Sequence, residues 1–255
     1  MTLAQVLPRM FTKKWILATF LVVVAAAVCI RLGIWQLDRL SQRRAFNSHI
    51  YSMRAMPPLD ISAGAPADLA VMEYRTVVAR GTYDFDNQVA IRNQYVNGVL
   101  GYDLLTPLRL ADGTTILVDR GWVPAQGNDS PQGWRRYDGP QQAEVQGLIR
   151  LGQSTPLPGG IDNPTPAPGQ TRLDFWNFIN TDSLARQLPY AILPVYIQQT
   201  STTGDANSPV PHLETLDLSE GPHMGYALQW FSFAAIFLVG YSFYLRKQET
   251  KRVVK

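Results

Sequence analysis

The chain has 255 residues, 46% of them hydrophobic and 17% charged, with a net charge of +3. A soluble globular chain carries about a quarter charged residues, so this composition points away from an entirely water-facing protein. A single cysteine, Cys29, excludes a disulfide scaffold. Without a C-x-x-C pair, thiol redox chemistry, a thiolate copper carrier and covalent c-type heme are excluded too.

The apolar residues are concentrated in two runs. Trp15 to Ile30 is sixteen residues without a charge, and the pattern resumes after Arg31. Met224 to Leu245 is twenty-two residues without a charge. A bilayer core takes roughly twenty apolar helical residues, so both runs are expected to span, the first with the Arg31 guanidinium reaching into the headgroups. A cleavable signal peptide is the competing reading of the first run. Its apolar region would be long, and no clear A-x-A site precedes Trp35, which favours an uncleaved anchor. The expected division is a cytoplasmic segment over 1–14, a first span over 15–36, an extracytoplasmic domain over 37–222, a second span over 223–245 and a basic tail over 246–255. All five lysines (Lys13, Lys14, Lys247, Lys251 and Lys255) lie on the terminal side of the spans, which places both ends in the cytoplasm or a matrix. Arg31, Arg39, Arg43 and Arg44 crowd the opposite flank. The tie is broken by Arg246 and Lys247 after the second span, with Glu214, Asp217 and Glu220 before it.

Between the spans, Gln36 to Met56 keeps a helical rhythm that Pro57-Pro58 ends. Ile61 to Ala70 reads as linker or loop. From Glu73 the period becomes two. Strands are expected over Tyr74–Tyr83, Gln88–Val96, Gly101–Leu110, Thr114–Val123 and Ala143–Leu151, with turns at 84–87, Asn97-Gly98 and Asp112-Gly113. The expectation is an antiparallel meander forming a barrel- or sandwich-like core in a β-rich α+β domain. Gln153 to Gln170, rich in Pro and Gly, is a long loop. Asp174–Ile179 is a strand candidate, Thr181–Leu188 a short helix with Thr181 as N-cap, and Pro194–Ser201 the last strand. Asp205 to Ser219 is a polar run into the second span.

Three sets of residues carry candidate chemistry. His223 opens a helix on which Tyr226, Trp230, Phe233 or Phe237, Tyr241 and Tyr244 recur at steps of three or four. A flat apolar macrocycle with an iron centre suits such a face, with imidazole to the metal and rings against the plane. The plainer reading is an interfacial aromatic belt with His223 as a helix-start residue. His49 and His212 read as surface residues. In the first span, Ala18, Ala25, Cys29 and Gly33 would let another helix approach closely, and Trp35 is expected to face headgroups or Trp230. Arg39, Arg43 and Arg44 would meet lipid headgroups by default, or a protein carboxylate or heme propionates. In ILVDRGWVP (Ile116–Pro124), Arg120 is expected to brace the domain against a carboxylate. G-x-S-x-G, H-E-x-x-H and P-loop patterns are absent, so the chain does not read as an enzyme. Nothing supports nucleic-acid binding.

LGIWQLDR (Leu32–Arg39), GYDLLTPL (Gly101–Leu108), ILVDRGWVP and GPHMGYALQW (Gly221–Trp230), in this order around two spans, resemble the surfeit-locus protein one family. These are the Shy-type assembly factors of cytochrome c oxidase, and the resemblance covers Trp15 to Tyr244. It implies a role in heme-copper oxidase biogenesis, when heme a enters subunit I, with the histidine of the G-P-H motif, His223 here, as iron ligand. Family-motif positions are Gly33, Trp35, Gln36 and Arg39 on the first span and Arg120, Gly121, Trp122 and Pro124 in the domain. On the second span they are Gly221, Pro222, Tyr226, Gln229 and Trp230; packing or docking is the role implied for most. Implied partners are subunit I, other oxidase or supercomplex subunits, heme a synthase and membrane lipids. Only fourteen residues precede Trp15, where a mitochondrial member would carry a longer Arg-rich leader. The expected location is therefore a bacterial cytoplasmic membrane. Two rival classes stay open: a cofactor-free scaffold or accessory subunit of the oxidase or supercomplex, and an exported ligand-binding or sensor domain on a two-span anchor.

Overall fold

The computed structural model describes residues 10–200, 208–213 and 216–253. Most of the expected N-terminal segment lies outside these residues, as do Ser201, residues 205–207 at the start of the expected polar run, Glu214 and Lys255, and the side chain of Lys251. The chain divides into two compact units, residues 1–48 with 217–255, and residues 49–216.

The first unit is a helix pair. Helix α1 runs unbroken over Ile16–Ala55, 40 residues, and the Pro57-Pro58 step follows it. Its polar second half continues the helix, as the rhythm from Gln36 indicated. Helix α4 covers His223–Val253. Both are long and apolar enough to cross a membrane. They meet along a narrow seam: Ala26 and Cys29 of α1 and Ala234 of α4 are buried, with Trp230 packed against them. Gly33 lies against a ring of α4. A Cβ there would stand 2.7 Å from the Phe231 ring, so only glycine admits that ring. Of the expected small-residue face, Cys29 and Gly33 are in the seam, while Ala18 and Ala25 are half-buried beside it. At one end the Tyr241 hydroxyl lies 2.7 Å from Thr19 Oγ1, and Trp15 meets Tyr244 edge-on at 5.9 Å.

The second unit is one mixed sheet flanked by short helices. Its elements are β1 (Leu59–Asp60), β2 (Thr76–Tyr83), β3 (Val89–Val96), β4 (Val99–Leu110), β5 (Thr115–Pro124), α2 (Pro131–Trp134), β6 (Gln142–Leu151), β7 (Phe175–Trp176), α3 (Thr181–Gln187) and β8 (Val195–Gln199). The order is β1-β2-β6-β8-β5-β4-β3-β7, and an additional β2–β4 pairing closes β2, β6, β8, β5 and β4 into a ring. Consecutive β3, β4 and β5 form the expected meander, with Asn97-Gly98 at positive φ in the two-residue hairpin. The purely antiparallel expectation fails at three places, because β1–β2, β3–β7 and β5–β8 are parallel. The physical reason is length. The 61–75, 152–174 and 177–194 connections are long enough to let a strand return in either direction, whereas tight turns force antiparallel neighbours.

Long β4 serves two partners on one edge: residues 99–105 pair with β3, and 108–110 with β2. Pro107, which has no N–H to donate, falls at the changeover, where its carbonyl accepts from the Asp84 amide. Strand β5 is buried along nearly its whole length, which explains its near-continuous apolar run. One face of the sheet carries the main core, including Val77, Leu108, Ile116, Val118, Ile149 and Ile197. Ile61 and Leu69, from the stretch read as a linker, also plug this core. The other face packs Leu105, Leu117, Trp176 and Tyr196 against Leu184 of α3. The N-cap of α3 is Asn180, one residue before the expected Thr181; its side chain accepts the Ser183 amide at 2.9 Å.

Candidate functional site

His223 is the first residue of α4, and its half-buried ring lies on the seam side. Its Nδ1 is 2.8 Å from Oε1 of Gln36 on α1. An amide oxygen only accepts, so a hydrogen bond across this contact needs the proton on Nδ1, and a neutral ring bonded in this way has its lone pair on Nε2. Gly221, two residues before the helix, has φ +67, and a Cβ there would lie 3.6 Å from Nε2 and 3.5 Å from Cδ2 of His223. Glycine thus makes the left-handed turn into α4 and places no side chain over that ring edge. Pro222 sets the first turn, its carbonyl accepting the Tyr226 amide at 3.1 Å.

The aromatic residues below His223 divide between two faces. Trp230 and Tyr241 turn toward α1, and Trp230 also meets Phe233 edge-on at 5.9 Å. Tyr226, Phe233, Phe237 and Tyr244 are exposed, Tyr226 at 48%. The helical period explains the split: positions 223, 227, 230, 234 and 241 share one stripe, while 226, 233 and 244 lie about 60–80° around from it. Gln229 is exposed.

The segment before α4 is clamped from α1. Arg44 forks onto Glu220 with two bonds of 2.8 Å, which hold the Glu220 carboxyl below the usual carboxylate range. Arg43 donates to the Ser219 carbonyl at 3.0 Å and to the Asp217 carbonyl, and Asn47 donates to the Leu218 carbonyl at 2.6 Å. Arg43 and Arg44 thus have protein acceptors, Arg44 the carboxylate that is one of the partners expected for it. Arg39 instead bonds Gln42 at 3.0 Å, with its guanidinium 5.7 Å from the exposed Trp35 ring. Trp35 faces outward beside Arg39 and away from the seam that holds Trp230. Gln36 was legible only as a motif residue, and its bond to His223 is not something one helix can announce.

In the β unit, the motif Ile116–Pro124 is a brace. The buried Arg120 donates to Gln88 Oε1 at 3.1 Å and to the Tyr137 carbonyl at 2.6 Å, with the Phe85 and Tyr83 rings 5.0 and 5.3 Å away. The carboxylate partner expected for it is thus replaced by an amide, a carbonyl and two ring faces, and burial lowers its pKa. Trp122 exchanges both backbone bonds with Val210, its ring nitrogen donates to the Gln94 carbonyl at 3.3 Å, and Gly121 fits under the Val210 carbonyl. Pro124 accepts from the Asn128 side chain.

His212, read as a surface residue, has Nδ1 2.9 Å from the Asp103 carboxylate, while its carbonyl accepts from Gln198. The Asp103–His212 pair, Asp119 and Arg150 line a cavity of about 440 Å³. Burial, helped by the Asp103 charge, pushes the Asp119 carboxyl well above the usual range. His49 is half-buried. Among the described residues, no group of three or more His, Cys, Asp or Glu side chains is placed to hold a metal ion.

A model of the SURF1 family matches residues 23–235. A SURF1-like protein of Monosiga brevicollis is 29% identical over 229 residues, covering 85% of this chain and 83% of that protein. An uncharacterized SURF1-like protein of Mycobacterium tuberculosis is 29% identical over 237 residues, covering 90% of this chain and 83% of its own length. Surfeit locus protein 1 of Arabidopsis thaliana is 22% identical over 275 residues, covering 87% and 75%.

Proposed function

The chain belongs to the SURF1 family, a family of oxidase assembly factors, and from that premise we propose that it carries heme a for a heme-copper oxidase. In this reading it is a two-span protein of a bacterial cytoplasmic membrane, with both termini inside and the β domain outside. It binds heme a through His223 and passes it to oxidase subunit I. The observation that carries the proposal is the ring of His223, with Nδ1 tied to Gln36 and its Nε2 edge left open by Gly221.

The residues fit a single-imidazole ligand. A bare metal ion would need several convergent donors, whereas a porphyrin brings four of its own and asks the protein for one or two. Bound heme would supply the iron chemistry of the recipient oxidase; this chain supplies binding and orientation. His223 offers one nitrogen. Tyr226 presents an exposed ring one turn further along, on the side where Phe233 and Phe237 are also exposed. Trp230 shapes the seam behind it. Arg39, which makes no ion pair among the described residues, is the cation of the 39–44 group left to meet a carboxylate of the cargo. Delivery requires that His223 hold its cargo less tightly than the recipient does, and a single protein ligand serves that end.

Bilayer dimensions support the placement. Trp15 to Gln36 and His223 to Tyr244 each span twenty-one residue steps, about 32 Å of helix, against a hydrocarbon core of about 30 Å. In this reading the Trp15–Tyr244 contact and the Gln36–His223 bond lie at the two faces of one membrane. Lys13, Lys14 and Lys247 lie beyond the first of these.

The test is to purify the full chain from cells that make heme a and record its visible spectrum. A heme spectrum that His223→Ala abolishes, together with loss of assembled oxidase in the variant strain, is the expected result. A colourless wild-type protein with normal oxidase in the His223→Ala strain would leave only a cofactor-free scaffold.

A further inference from the structure

We propose that Gln36 is the positioning residue that decides which nitrogen of His223 is offered to a ligand. The inference rests on reading His223 as the iron ligand and adds what that reading lacks, the identity of the donor atom and what fixes it.

A neutral imidazole has one N–H and one lone pair, and nothing in the ring itself prevents the two from exchanging places. An unrestrained histidine at a helix start would present a mixture of both tautomers and several ring orientations. Here Oε1 of Gln36 faces Nδ1 at 2.8 Å. With the Gln36 amide in this orientation, a proton on Nε2 would leave two lone pairs confronting each other across that distance, and the amide would have to turn over to donate instead. In this orientation the bond favours the Nδ1–H form and turns Nε2 away from α1, toward the edge over which Gly221 places no side chain. It also pulls electron density toward Nε2, as an acceptor on the remote nitrogen does for metal-bound histidines generally.

Gln36 suits the task by position. It follows Ala26, Cys29 and Gly33 and precedes Leu40 at the three- and four-residue steps of the seam, so its half-buried side chain is directed at α4. The Gly33–Phe231 contact brings the two helices close just below it. A shorter side chain at 36 would not reach, and an apolar one would offer no acceptor. A carboxylate would keep the bond and strengthen it.

The experiment uses the full chain in lipid nanodiscs with nitrogen-labelled histidine, first without heme and at a pH where imidazole is neutral. Ring nitrogen shifts are expected to show His223 protonated on Nδ1 in the wild type and in Gln36→Glu, and as a tautomer mixture in Gln36→Leu. Titration with heme a is then expected to show Gln36→Leu weakened about tenfold to a hundredfold, the usual cost of losing such a partner. Gln36→Glu should bind near wild-type affinity with a lower iron midpoint potential. Recovery in Gln36→Glu separates positioning from a folding defect. A wild-type ring protonated on Nε2, or a Gln36→Leu variant matching the wild type in both tautomer and affinity, overturns the inference while leaving the heme reading standing. A wild-type ring protonated on Nδ1 in a protein that takes up no heme overturns the heme reading itself, and the ligand role of Gln36 falls with it.

Discussion

The two units use the same residue types in opposite ways. In β5, Ile116 and Val118 are fully buried, whereas in α1 Leu17 and Phe20 are 68% and 62% exposed. Only 17% and 11% of the most apolar windows of α1 and α4 are buried within the protein. Burial in the β unit is intramolecular and supplies its stability directly. The helix pair hides a narrow seam centred on Ala26, Cys29 and Ala234, and its remaining apolar surface suits lipid, where close packing and interhelical hydrogen bonds replace the hydrophobic drive between helices. Polar groups follow the same division: the β unit buries Arg120, Asp103 and Asp119, while the side-chain hydrogen bonds between the two helices among the described residues, Thr19–Tyr241 and Gln36–His223, lie toward the ends of the pair.

This contrast breaks most visibly under paired truncations. Ile197→Ala should cost about 2–5 kcal/mol, because the closed ring cannot collapse onto the lost volume. Leu21→Ala, on the exposed face of α1, should stay within about 0.5 kcal/mol. Unfolding of the full chain in detergent measures both, and equal losses would show that the helix face is covered by protein.

Next in size are two changes that test how each unit treats close contacts. Gly33→Ala forces a methyl group against the Phe231 ring and should cost about 1–3 kcal/mol through overpacking. Adding Phe231→Leu should recover much of it. Arg120→Leu should cost about 1–3 kcal/mol, chiefly because the Tyr137 carbonyl loses its donor. Gln88 Oε1 keeps a second one, Thr106, at 2.6 Å. Arg120→Lys should not fully rescue, since one ammonium cannot reproduce the fork.

The smallest effect has the opposite sign. Asp119 has a raised folded-state pKa, against about 3.9 in an unfolded chain. Protonation therefore favours the folded state: its contribution is fully present below about pH 4 and is lost as pH rises through the folded value. In Asp119→Asn the amide oxygen can still accept the Gly121 amide, now bonded at 3.0 Å, and the titration is gone. The variant should be at least as stable as the wild type at pH 7, with a flatter pH profile; thermal scans at pH 4 and pH 8 check this.

Much of the architecture was legible because it is periodic. Uncharged runs mark α1 and α4, alternation marks β2 to β6, and Asn97-Gly98 marks a hairpin. The β1 strand was not legible, being two residues in a Pro- and Gly-rich stretch, nor was the capping role of Asn180 beside an equally suitable Thr181. At the candidate site the histidine was legible as a type in a motif, but its partner was not. His212 reads like any surface histidine until β4 brings Asp103 beneath it.

Taken alone, the amino-acid order determined which segments are helix or strand and which are greasy enough for lipid, because those depend on neighbours within a few residues. Parallel pairing, ring closure, the amide-and-ring cradle of Arg120 and the Gln36–His223 bond were decided only by tertiary structure. Each joins residues far apart in the chain, up to 187 positions for Gln36 and His223, and depends on which faces meet, a quantity no local pattern encodes.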